Sequence, residues 1–183
     1  MADEKTCIRI SVRNLVEFVL SSGDIDNRRT SGAEKDAMQA GSRIHRKIQR
    51  RMGANYQAEV TMKHVVEADE FQIAVEGRAD GVIKELTGGV TIDEIKGVYM
   101  DIGHLEAAIP VHQAQAMCYG YFYCYDNQLD VITIQVTYCN IETEEIRRFQ
   151  VDKTFEELDM EGRFQQLYPN VEIDIEEFNA EPE

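Results

Sequence analysis

The side chains best placed to do chemistry are Asp80, Glu94 and Lys96, with His45 upstream. Thr91-Ile92-Asp93-Glu94-Ile95-Lys96-Gly97 alternates apolar and polar residues and ends in charge. A strand sends successive side chains to opposite faces, so Val90, Ile92, Glu94 and Lys96 share one face. A carboxylate and an ammonium at the end of a buryable surface are costly unless paired or bound to a metal. Asp80 lies between Gly77 and Gly81, where the backbone can bend, and Gly88-Gly89 signals a hairpin turn before Val90. That hairpin would let the carboxylates of Asp80 and Glu94 converge. With the Ile95 carbonyl between them they form a hard oxygen site suited to Mg²⁺ or Mn²⁺, and His45 adds an imidazole that favours Mn²⁺. Lys96 then orients a water or stabilises charge on a phosphate. A purely structural account of the same residues is a surface Glu94–Lys96 pair, a turn aspartate and a helix histidine.

The elements that must position these groups follow from periodicity. A short extended lead covers about 6–10. Ser11 caps a helix whose Val12, Leu15, Val16, Val19 and Leu20 keep helical spacing, ending at 21–24. Residues 26–32 form a polar loop. A second helix runs from about Ala33 to Met52 and stops at Gly53. On it Gly41 and His45 are four apart, and Gly41 admits a close backbone. Two strands follow, at about 56–67 and 70–84, joined at 68–70. The 90–98 strand comes next, then a loop over 99–109. Pro110 opens a helix to about Asp126, with Ala114, Met117, Cys118, Tyr121, Phe122 and Tyr125 as its apolar stripe. His112, Gln115 and Tyr119 lie off that stripe; His112 reads as a loop or cap residue. A strand over 131–138, a short strand over 145–151 and a helix over about 154–167 complete the order. The expected class is α/β, with a mixed, mostly antiparallel sheet flanked by helices, in one domain over 1–168. The acidic residues 169–183 read as a loosely ordered tail.

Composition narrows the function. The 183 residues carry 19 Lys and Arg against 34 Asp and Glu, a net charge of −15, which argues against indiscriminate phosphate binding. Positive charge is nevertheless concentrated at Arg43, Arg46, Lys47, Arg50 and Arg51, beside His45. The four cysteines, Cys7, Cys118, Cys124 and Cys139, form no Cys-x-x-Cys pair, so a structural zinc site is not expected. No apolar run approaches the roughly 18 residues of a membrane span. The polar start, Met1 to Lys5, lacks a signal-peptide core, and the expectation is a cytoplasmic protein.

Asp80 followed by Glu94-Ile95-Lys96 on the next strand resembles the PD-(D/E)xK nuclease signature. Gly41-Ser42-Arg43-Ile44-His45 resembles the Gly-x-x-x-His helix of RecB-like nucleases, and Gln115-Ala116-Met117-Cys118-Tyr119 resembles their Gln-x-x-x-Tyr motif. The order and the elements also agree over about 35–140. The segment from Ser11 to Asp26 looks like the N-terminal nuclease portion of some bacterial DinG-type helicases, which implies a helicase domain C-terminal to this chain. The resemblance implies a restriction-endonuclease-like αβββαβ core over about 33–140. It implies that His45, Asp80, Glu94 and the carbonyl of Ile95 bind the divalent metal, that Lys96 is catalytic, and that Gln115 and Tyr119 position DNA. Arg43, Arg46 and Lys47 would contact phosphate. Related nucleases carry an iron–sulfur cluster on closely spaced C-terminal cysteines; these are missing here, so no cluster is expected. The expected activity is metal-dependent DNA exonuclease action on single strands or ends, in repair or recombination. No recognition module is evident, and Tyr119 suits stacking on unpaired bases. The rivals are a non-catalytic DNA-binding or assembly domain that keeps the fold, and another phosphate-processing hydrolase, which lacks a Gly-rich phosphate loop.

Overall fold

The structure is a computed structural model that describes residues 6–20, 33–67 and 71–159. Its elements are β1 (Thr6–Ser11), α1 (Val12–Leu20), α2 (Ala33–Arg51), β2 (Tyr56–Glu67), β3 (Phe71–Lys84), β4 (Val90–Val98), α3 (Pro110–Asn127), β5 (Val131–Asn140), β6 (Ile146–Thr154) and α4 (Phe155–Leu158). The run from α2 to β5 is the expected αβββαβ order. The fold is α/β: a mixed six-stranded sheet flanked by helices. The expected helix end at 21–24, loop at 26–32, turn at 68–70, helix beyond 159 and acidic tail at 169–183 lie outside the described residues.

The lead at 6–10 is a full strand of this sheet. Ser11 ends it and caps α1, its Oγ accepting the Asn14 N–H at 3.1 Å. The strand expected at 145–151 extends to Thr154. There Thr154 and Glu157 form a capping box that starts α4. α3 ends close to the expected Asp126: it runs through Asn127, with Gln128 after it in left-handed backbone, φ 54°. The stripe expected on α3 is too narrow. Gln115, Ala116, Tyr119 and Cys124 are buried as well, because α3 packs against β4 and β5 and also against α1 and α4. Tyr125, expected in that stripe, is exposed.

β3 sets the geometry of the sheet. On one edge it pairs with β2 over nearly its whole length. On the other edge β1 runs parallel to Phe71–Glu76, while β4 runs antiparallel to 81–84. Residues 77–80 fall between the two partners, so the sheet forks there. Opposite the fork the β2–β3 register passes from Ala58↔Gly81 to Val60↔Ala79 and skips Glu59 and Asp80. Glu59 takes a left-handed backbone, φ 59°. Ala79 and Val82 both belong to the α3-side core although they are three residues apart. Strict alternation would place them on opposite faces. The strand therefore flips at Asp80, which is what the flanking glycines led us to expect.

The two faces of the sheet are covered differently. One carries the main core, with Val75, Ala79, Val82, Ile92, Ile132 and Ile134 packed on α1, α3 and α4. The other carries a small cluster of Ile95, Cys139, Ile44 and Ile48, which holds α2. Burial of each such isoleucine contributes about 2 kcal/mol. α2 passes over β4 with Gly41 near Gly97, where an added Cβ would sit 3.6 Å from the Gly41 Cα, an ordinary van der Waals distance. A Cβ on Gly41 itself would meet nothing within 4 Å, so the helix position expected to need glycine for a close backbone approach does not require it.

Candidate active site at the sheet fork

Beyond the Gly81↔Asp93 pair β4 leaves β3, and the Ile95 N–H loses its ladder partner. Asp80 Oδ2 takes that place, accepting the Ile95 N–H at 2.7 Å. The other carboxylate oxygen, Oδ1, stands 3.0 Å from His45 Nδ1 on α2. Glu94 projects to the α3 side. Its Oε1 is 2.8 Å from Lys96 Nζ, and Lys96 Nζ donates at 2.7 Å to Gln115 Oε1 on α3. The fork thus collects His45 from one face of the sheet and Gln115 from the other.

The charges of these groups are interdependent. Burial pushes the Glu94 carboxyl up, Lys96 opposes it, and Asp80 adds to it; the result is a pKa of about 7. Burial alone would lower His45. The bond and charge of Asp80, with Glu94 behind it, outweigh burial and raise it. Two carboxylates close enough to repel are here stabilised by an imidazole and an ammonium. That is the electrostatic demand a divalent cation satisfies, and two carboxylates with an imidazole are a donor set that Mg²⁺ or Mn²⁺ accepts. The pairs are nonetheless separate. Among the described residues no three His, Cys, Asp or Glu groups are gathered as a ready-made metal site. Asp80 is drawn toward His45 and Glu94 toward Lys96, so the single centre expected for residues 45, 80 and 94 is present as two adjoining pairs. Ile95, expected to offer its carbonyl, contributes its N–H.

The remaining predicted residues divide. Gln115 is 4% exposed and Tyr119 is 7% exposed. Gln115 therefore holds Lys96 and does not reach a strand directly. Tyr119 packs edge-on against Phe122, and its hydroxyl meets the backbone of Gly77 and Arg78 in the fork. Its ring offers no face to a base, which corrects the stacking role expected of it. Arg43, Arg46 and Lys47 line a surface depression with Arg50 and Arg51; none of Asp80, Glu94 or Lys96 lines it. Lys47 also pairs with Glu144. His112 is on the first turn of α3, its Nδ1 3.0 Å from Tyr138 Oη. Burial, with the charges of Lys96 and Arg13, lowers its pKa to about 4. Cys118, Cys124 and Cys139 are buried and Cys7 is exposed.

Two features were missed. Gln49, one turn after His45, donates through Nε2 to the Asp80 carbonyl at 2.9 Å and to Glu59 Oε1 at 2.9 Å. Its i+4 spacing from His45 was the available signal. Asp93, on the opposite face of β4 from Glu94, is 0% exposed. It accepts from Thr137 Oγ1 at 2.6 Å, Gln135 Nε2 at 2.8 Å and Tyr56 Oη at 3.2 Å. Tyr56 reaches it across Gly81, where any Cβ would strike the ring. This network pins the last β3–β4 pair before the fork opens.

No protein-family model matches the chain, and no curated protein sequence matches it. Solved structures with a similar fold exist. One of them, described as the crystal structure of SSO0001, has a TM-score of 0.56 and 16% identity, covering 92% of this chain and 80% of the other. At that identity the likeness concerns the fold alone. Among the described residues no helix is long and apolar enough to cross a membrane.

Proposed function

We propose that the fork is the active site of a divalent-metal-dependent deoxyribonuclease of the PD-(D/E)xK kind, with exonuclease action as its mode. The observation that carries this reading is the placement of Asp80 against Ile95 N–H and His45, beside the Glu94–Lys96–Gln115 chain. His45, Asp80 and Glu94 are the residues that would hold Mg²⁺ or Mn²⁺. When bound, the cation supplies Lewis-acid polarisation of the phosphate and lowers the pKa of a coordinated water.

The chain's own residues do the rest. An ammonium has three donors. Among the described residues Glu94 and Gln115 take two, which leaves one N–H of Lys96 for a phosphate oxygen or the attacking water. Water adds to phosphorus, the bond to the leaving sugar oxygen breaks, and Lys96 stabilises the charge that builds on the phosphoryl oxygens. Gln115 keeps the ammonium from swinging away. The basic face of α2 supports contact with the phosphate backbone. A ring for an unpaired base is offered by Tyr99, 56% exposed and three residues past Lys96, in place of Tyr119.

The test is degradation of end-labelled DNA with Mn²⁺. Lys96→Ala and Asp80→Asn proteins lose activity by about 10²–10³-fold, as removal of one transition-state donor does, and melt close to the parent protein. Undiminished activity in both overturns the reading.

A further inference from the structure

We propose that Gln49 is a positioning residue for Asp80, and that α2 grips this aspartate at two points one turn apart. This deepens the nuclease reading and rests on it. The flip of β3 at Asp80 removes that residue from the β2–β3 ladder and leaves its carbonyl in need of a donor. The Gln49 amide supplies it at 2.9 Å. His45, four residues earlier on the same face of α2, meets the side chain of the same residue at 3.0 Å. One helix thereby fixes both the main chain and the carboxylate of Asp80. The second proton of the amide goes to Glu59 Oε1, and Glu59 is tied in turn to Arg78 Nε at 2.6 Å. Glu59 and Asp80 are the two residues that the register skips, so Gln49 bridges the break on both strands.

A carboxylate carried on an irregular strand is free to turn unless its backbone is held. Gln49 makes that backbone rigid while touching neither metal nor substrate. Groups that orient a metal ligand in this way typically set metal affinity within 10–100-fold.

The experiment uses the full chain with Gln49→Met, which keeps length and helix propensity and removes both donors. Mn²⁺ binding is followed by the loss of its free-ion paramagnetic resonance signal. Cleavage of an end-labelled oligonucleotide gives kcat and KM. The expected result is a 10–100-fold weaker Mn²⁺ affinity, a lower kcat at fixed low Mn²⁺ with KM for the oligonucleotide unchanged, and recovery of kcat when Mn²⁺ is raised. Gln49 is half-buried on a helix, so Gln49→Ala serves as a second variant with the same expectation should the methionine disturb folding. Parent-like Mn²⁺ affinity in a folded Gln49 variant overturns the assignment of Gln49 and leaves the nuclease reading standing. A parent protein that binds no Mn²⁺ and cuts no DNA overturns both.

Discussion

Asp93 and Glu94 are adjacent acidic residues on β4, both buried, and they face opposite sides of the sheet. Asp93 is satisfied by neutral donors: two hydroxyls and an amide converge on it, and Gln150 Nε2 donates in turn to Gln135 Oε1 at 2.6 Å. Burial raises its pKa and those three bonds oppose the rise. Glu94 has one ammonium, shared with Gln115, and a second carboxylate nearby. Neutral donors fix a carboxylate and close the site around it. A shared ammonium and a repelling neighbour leave charge to be satisfied by something else. The first arrangement is that of a structural bolt, and the second is the one on which the proposed cation site rests.

Removing the bolt has the largest expected effect on stability. Asp93→Ala removes this acceptor from the buried Thr137 and Gln135 and the half-buried Tyr56, which costs about 3 kcal/mol. Chemical denaturation measures this, and a loss below about 1 kcal/mol would show that Asp93 is not what holds the strands. Gly81→Ala drives a methyl into the Tyr56 ring and breaks the same network less completely, at about 2 kcal/mol as for overpacking elsewhere. A Gly81→Ala protein as stable as the parent would mean that Tyr56 moves aside freely and the bond to Asp93 matters little.

The smallest effect separates the pair by pH. The folded protein holds Glu94 at about 7 against 4.5 for the free side chain. A raised pKa contributes stability that is complete below pH 4.5 and is lost as pH rises through about 7. Glutamine cannot lose that proton. Melting temperatures without divalent metal, at pH 5 and pH 8, should therefore show Glu94→Gln gaining on the parent at the higher pH. A constant difference would mean that burial does not govern Glu94.

Much of the fold was legible because its long elements keep clean periods. The β5 alternation and the Pro110 start of α3 are local signals that tertiary packing did not override. Local pattern could not show that 6–11 joins the sheet, because that depends on an edge of β3 left open far along the chain. Type and spacing singled out His45, Asp80, Glu94 and Lys96 as candidates, and the fold brings all four to the fork. Their division into a His45–Asp80 pair and a Glu94–Lys96 pair was not, since it depends on where two strands part. Tyr119 was misjudged because helical spacing places a ring on a face but does not say what covers that face. Asp93 was passed over because a strand residue pointing away from a site looks idle until its partners on β2 and β5 are known.

The most direct measurement is Mn²⁺-dependent cleavage of an end-labelled DNA oligonucleotide by Glu94→Gln and Asp93→Asn proteins side by side, at a temperature where both are folded. The account predicts that Glu94→Gln falls by about 10³-fold, roughly 4 kcal/mol of lost transition-state stabilisation, while Asp93→Asn stays within about tenfold of the parent. A Glu94→Gln protein that cuts as fast as the parent would contradict it.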